Sequence, residues 1–149
     1  MPTCFVDTTT LIYPMDLRHP AKRDASQAWL RTLMASEQLV LNRQVLHETY
    51  WVLRRKPAFA APREAARRYV MAYEQWAAAP SVGMEHAWRL EDRYGLGLWD
   101  ALLMASARAA HCDCFLSEDL NDGQQYDGVT AINPFRHAPE DVLGRAPLS

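Results

Sequence analysis

Asp7, Glu48, Asp100 and Asp119 are acids set in apolar surroundings. Asp7 ends the run Thr3 to Val6, and Asp119 follows Phe115 and Leu116 within Ser117-Glu118-Asp119. Asp100 lies in Trp99-Asp100-Ala101-Leu102, and Glu48 in His47-Glu48-Thr49-Tyr50. A buried charge needs a partner, and acids crowded together repel one another. A hard divalent cation relieves that repulsion. Oxygen ligands without a Cys or His cage suit Mg²⁺ or Mn²⁺ rather than Zn²⁺, and such an ion activates water and stabilises a phosphodiester transition state. Each acid alone has an ordinary explanation: a strand end, a turn before Gly123, a first-turn acid, or a partner for Arg43 or Arg55. The four together are more specific than any member.

The elements that must position them read as follows. Thr3 to Val6 is a buried first strand with Asp7 at its carboxyl edge. Thr8, Thr9 and Thr10 cap a helix beginning near Leu11, with Pro14 in its first turn. Pro20 opens a helix to about Ala35, and Gln38 to Leu41 is a short strand. Asn42 caps a helix to about Lys56, whose wide apolar stripe runs from Val45 to Leu53. Pro57 stops it. Pro62 starts a helix to about Ala78, another runs from Val82 to Gly95, and Leu98 to Ala110 forms a buried one. Phe115-Leu116 and Val129 to Ile132 are strands. Strands alternating with helices predict a three-layer α/β sandwich around a mainly parallel sheet. In such a sheet ligands sit outside the carboxyl ends of the strands, where Asp7 and Asp119 fall.

The 149 residues suit one domain, with a loose tail from about residue 136 that contains Pro139 and Pro147. A net charge of -2 argues against a basic nucleic-acid coat protein, but not against a nuclease with an acidic metal site. No apolar run approaches the roughly 20 residues of a membrane span. The start lacks the marks of a signal peptide, and Cys4, Cys112 and Cys114 do not form a secreted disulfide framework. The expectation is a cytoplasmic protein with buried core thiols.

Gln44-Val45-Leu46-His47-Glu48, Trp99-Asp100-Ala101-Leu102 and Leu116-Ser117-Glu118-Asp119-Leu120 before Gly123-Gln124 bring a known family into view. The chain resembles the PIN-domain ribonucleases, and among them the VapC-type toxins of bacterial toxin–antitoxin pairs, from Phe5-Val6-Asp7-Thr8 to Ile132-Asn133-Pro134-Phe135. The resemblance implies RNA cleavage assisted by Mg²⁺ or Mn²⁺, a small antitoxin partner and a homodimer. It assigns catalysis to Asp7, Glu48, Asp100 and Asp119, with Asp7 and Asp100 as the main metal ligands. Where the family usually carries Asn or Ser, Thr9 stands, and its hydroxyl can bond Asp7 or a water. Glu118 and Asp122 are near enough in sequence to share the role of Asp119.

Arg54-Arg55-Lys56 either caps the Glu48 helix or, with Thr9, contacts substrate phosphates. Arg67-Arg68 reads as a solvated face. Trp51, Tyr69, Tyr73, Trp76 and Trp88 read as core or interface rather than stacking platforms. Rival functions are a haloacid dehalogenase-type phosphoryl-transfer enzyme, a receiver-type binding module and an inactive PIN fold. The first needs a second Asp where Thr9 stands. The first two need a late lysine, and Lys22 and Lys56 are the only lysines. An unused acidic pocket weighs on folding, which disfavours the third.

Overall fold

Two short apolar runs, Cys4–Val6 (β1) and Cys114–Leu116 (β3), are buried on both faces and pair in parallel at the centre of the sheet. Continuous burial, rather than alternation, marks strands covered by helices on each side. In this computed structural model, which describes residues 2–143, Leu39–Val40 (β2) flanks β1 in parallel. Val129–Ile132 (β5) flanks β3 in parallel, and Gln125–Tyr126 (β4) closes the edge antiparallel, giving the order β2-β1-β3-β5-β4. This is the α/β sandwich read from the sequence. β4 is the strand that pattern alone did not reveal: two residues carry no periodicity. Phe5 and Phe115 stack across β1 and β3 with centroids 5.3 Å apart.

The helices are α1 (Thr8–Ile12), α2 (Pro20–Ala35), α3 (Arg43–Arg55), α4 (Arg63–Met71), α5 (Met84–Tyr94), α6 (Leu98–Ala109) and α7 (Pro139–Val142). Several bounds depart from expectation. α1 starts at Thr8 rather than Leu11, because Asp7 itself is the cap and accepts a hydrogen bond from the Thr10 amide. Pro14 lies in the 3₁₀ turn Tyr13–Met15 that follows α1. The helix expected to Ala78 stops at Met71 and gives way to a second 3₁₀ turn, Glu74–Trp76. Leu41 and Trp76 pair through their backbones there, drawing the chain towards the sheet edge. Asn42 caps α3 as expected. Gly95 ends α5 with φ 71°, in the left-handed region that glycine enters freely.

The loose-tail expectation fails over residues 136–143. The indole N–H of fully buried Trp29, on α2, donates to the carbonyls of Pro134 (3.0 Å) and His137 (2.9 Å). That bond holds the chain against α2, α7 follows, and Leu143 is 1% exposed in the main core. Pro147 lies outside the described residues. Cys4, Cys112 and Cys114 are free and buried, as expected, although Cys112 precedes β3 rather than lying in it. Among the described residues no helix is long and apolar enough to cross a membrane.

Leu143→Ala should therefore lower stability by about 2–4 kcal/mol, as for a buried leucine. A urea melt checks this; an unchanged midpoint would restore the loose-tail reading.

Candidate active site

Asp7 occupies the most constrained position of the four acids. It leaves the carboxyl end of β1 and is 5% exposed. Its Oδ1 accepts from the Thr10 amide at 2.9 Å, which fixes the carboxylate and starts α1 in one contact. Burial pushes its carboxyl up to about 7, against hydrogen bonds from Thr10 and Ser117 that favour the charge; Asp119 adds repulsion. Ser117 also ties the two strand ends together: it hydrogen-bonds Asp7 at the end of β1, and its Oγ accepts from the Asp119 amide at 3.1 Å.

Glu48 reaches the same place from the middle of α3. Its Oε2 accepts from the Thr8 hydroxyl at 2.8 Å, and its Oε1 from the Gln44 amide group at 3.0 Å. The alternative ion pair of Glu48 with Arg43 or Arg55 does not form; Thr8 follows Asp7, so its bond joins α3 to the end of β1. Asp100, half-buried in the first turn of α6, is raised by burial, then by the charges of Asp119 and Glu48. Asp119 is the most exposed of the four. Asp7 thus feels Asp119, and Asp100 feels both Asp119 and Glu48; four separate elements contribute the acids.

Among the described residues none of the four forms an ion pair with Lys, Arg or His. The carboxylates of Asp100 and Asp119 accept no hydrogen bond there either. The donors are all oxygen, and buried Asp7 lacks a compensating cation, which is the chemistry of a hard divalent ion's site. Among the described residues no three His, Cys, Asp or Glu side chains converge as a ready-made metal cage. The acids neighbour one another in pairs, and of the four Glu48 lines an opening, the pocket it shares with Thr8, Trp51, Lys56 and Trp99.

Two possible stand-ins for Asp119 are committed elsewhere. Glu118 accepts from Lys22 Nζ at 2.7 Å and from the Tyr13 hydroxyl. Asp122 meets His137 Nε2 at 2.7 Å and accepts from the Asn133 amide at 2.9 Å. Thr9, the expected hydroxyl, makes no side-chain hydrogen bond among the described residues; Thr10 and Ser117 bond Asp7 in its place, and the Thr8 hydroxyl bonds Glu48. Thr8 and Ser117 were not singled out from sequence, although each adjoins the end of a buried strand. Arg54 donates to the Ala61 carbonyl at 2.9 Å and, with Arg55, lines a cleft between α3 and α4. Lys56 lies beside Thr8 and Glu48 in a smaller pocket. Trp51 and Trp88 are exposed and so lie outside the core, whereas Tyr73 belongs to the main core and Tyr69 and Trp76 pack against it.

The PIN domain family model matches residues 4–124, a span that contains all four acids. The chain belongs to the PIN domain family. A similar solved structure is VapC20 of Mycobacterium tuberculosis, described as a sarcin-ricin loop cleaving toxin. The two are 21% identical, with a TM-score of 0.50 over 76% of this chain and 87% of VapC20. At that identity the likeness supports the PIN fold. No curated protein matches the chain. Family membership sets aside the haloacid dehalogenase and receiver-type alternatives.

The raised Asp7 carboxyl makes a stability prediction. The folded protein keeps this proton up to about pH 7, whereas the unfolded chain loses it near pH 4. Stability is therefore lost as pH rises through that window. In EDTA, Asp7→Asn keeps the helix cap and removes the charge. It should raise the melting temperature above about pH 7, with a ceiling of about 4 kcal/mol, and change little below about pH 4. A variant less stable than the parent at about pH 8 would show that the Asp7 charge anchors the fold.

Proposed function

We propose that this PIN-domain protein is a metal-dependent endoribonuclease and the toxin of a toxin–antitoxin pair. The observation that supports the reading is the pairwise proximity of Asp7, Asp100 and Glu48 to one another or to Asp119, with none of the four in an ion pair among the described residues. Asp7 and Asp100 would hold Mg²⁺ or Mn²⁺, with Glu48 and Asp119 completing the pocket. A bound ion supplies Lewis acidity towards a phosphodiester and lowers the pKa of water.

The chain's own residues prepare that site. Thr10 orients Asp7, and Thr8 with Gln44 holds Glu48. Buried Asn42 donates to Ser106 Oγ at 3.1 Å, and Ser106 donates to the Pro80 carbonyl at 2.6 Å. That link ties the start of α3 to α6, the two helices that carry Glu48 and Asp100. Asp119, on the solvent side, holds water beside the phosphodiester.

The substrate class, RNA, follows from the resemblance to PIN-domain ribonucleases. The same resemblance supports a cytoplasmic homodimer and a small antitoxin. A guanidinium from that partner would suit the acidic pocket by binding two carboxylate oxygens at once.

RNA cleavage should require Mg²⁺ or Mn²⁺ and cease in EDTA; full activity in EDTA would remove the metal mechanism. Asp100→Asn should fold and lose about 100-fold or more in rate. Parent-rate cleavage by both Asp7→Asn and Asp100→Asn would overturn the assignment. Saturating Mn²⁺ at about 100 times its Kd should add about 2.7 kcal/mol to the parent's stability, and much less to Asp100→Asn. Light scattering should report a dimer at micromolar concentration.

A further inference from the structure

The face of α3 beyond Glu48 carries features that the reading above leaves unused. Trp51, Val52 and Arg55 follow Glu48 at three, four and seven residues, so all four share one helix face. By the helical rise this strip is about 10 Å long. Its first part lines a pocket of about 430 Å³ with Thr8, Lys56 and, from the start of α6, Trp99. That volume lies in the range of small-molecule sites. Trp51 is 56% exposed and Trp99 66%. Neither ring packs against another aromatic among the described residues. Anything that fills this pocket also touches Thr8 and Glu48.

Trp51 also lines a second, larger cleft between α3 and α4, of about 880 Å³. Arg54, Arg55, Arg63 and Arg67 lie along it, and no carboxylate does. On a chain of net charge -2 this is a local concentration of cations. Arg67 is exposed there, as the solvated-face reading expected. The path from acids to indoles to guanidiniums matches a nucleotide strand. Indole faces stack on bases of any sequence, and guanidinium forks fit phosphate oxygens. An acidic peptide would satisfy the arginines but leave the two open indoles beside Glu48 without a reason.

We propose that Trp51 and Trp99 form a base-stacking subsite for single-stranded RNA beside the scissile phosphodiester, and that the arginine-lined α3–α4 cleft holds the adjoining phosphates. The subsite rests on the ribonuclease reading above. Stacking requires unpaired bases, so the subsite favours single-stranded over duplex RNA.

Fluorescence anisotropy with a labelled single-stranded RNA tests this, using the full chain in EDTA so that nothing is cleaved. Trp51→Ala and Trp99→Ala should each weaken binding about 5- to 100-fold at an unchanged melting temperature. The Trp→Phe variants should retain most of the affinity. Arg63→Ala with Arg67→Ala should weaken binding and reduce its salt dependence, with a log–log slope shallower by about 1.4. A duplex of the same sequence should compete poorly. Parent affinity in both Trp→Ala variants, or equal competition by the duplex, would overturn the subsite. So would unchanged RNA binding alongside lost binding of a purified acidic protein partner, which would give the surface to that protein. Cleavage in Mn²⁺ with tryptophan-independent binding removes the subsite and spares the nuclease reading. Tryptophan-dependent binding without cleavage supports the subsite and removes that reading. A chain that neither binds nor cleaves RNA overturns both.

Discussion

The desolvation of one carboxylate organises this molecule. Asp7 sits where a central strand of a helix-covered sheet ends, too deep for water to solvate its charge well. The fold answers with local dipoles, the Thr10 amide and hydroxyl and the Ser117 hydroxyl, which favour the charged form without neutralising it. Among the described residues no arginine or lysine forms an ion pair with Asp7. A buried ion pair would cancel the field and make the acid structural. Leaving the charge uncompensated costs the isolated protein stability, and it keeps the pocket attractive to a cation.

Nothing in the backbone makes four acids on four elements meet, so their meeting depends on tertiary ties. The Thr8–Glu48 bond joins α3 to the end of β1. The Asn42–Ser106–Pro80 chain joins the start of α3 to α6 and to the loop before α5. Ser117 joins the end of β3 to both of its acids. Apart from the local Ser117–Asp119 bond, these ties pair a small polar side chain with a group far away in sequence, and buried polar groups of this kind hold geometry only when each is satisfied. Glu118 and Asp122 show the contrast: each has a basic partner, so neither contributes a bare charge to the opening.

The sequence by itself determined the layered α/β architecture, because buried strands and amphipathic helices are local patterns. It marked Asp7, Glu48, Asp100 and Asp119 as acids in apolar settings, a matter of composition along the chain. Asn42 as a cap and Gly95 as a stop were legible for the same reason: their effects reach only a turn away. The tertiary structure decided what depends on distant neighbours. Leu143 is buried because Trp29 binds the chain that leads to it. β4 exists only because β5 offers it an edge. Thr8, rather than Thr9, bonds an acid of the opening because α3 delivers Glu48 to it. Trp51 and Trp99 are exposed because no element among the described residues covers their rings, which helical spacing cannot foretell. Periodicity reports which side chains share a face; only packing decides what that face meets.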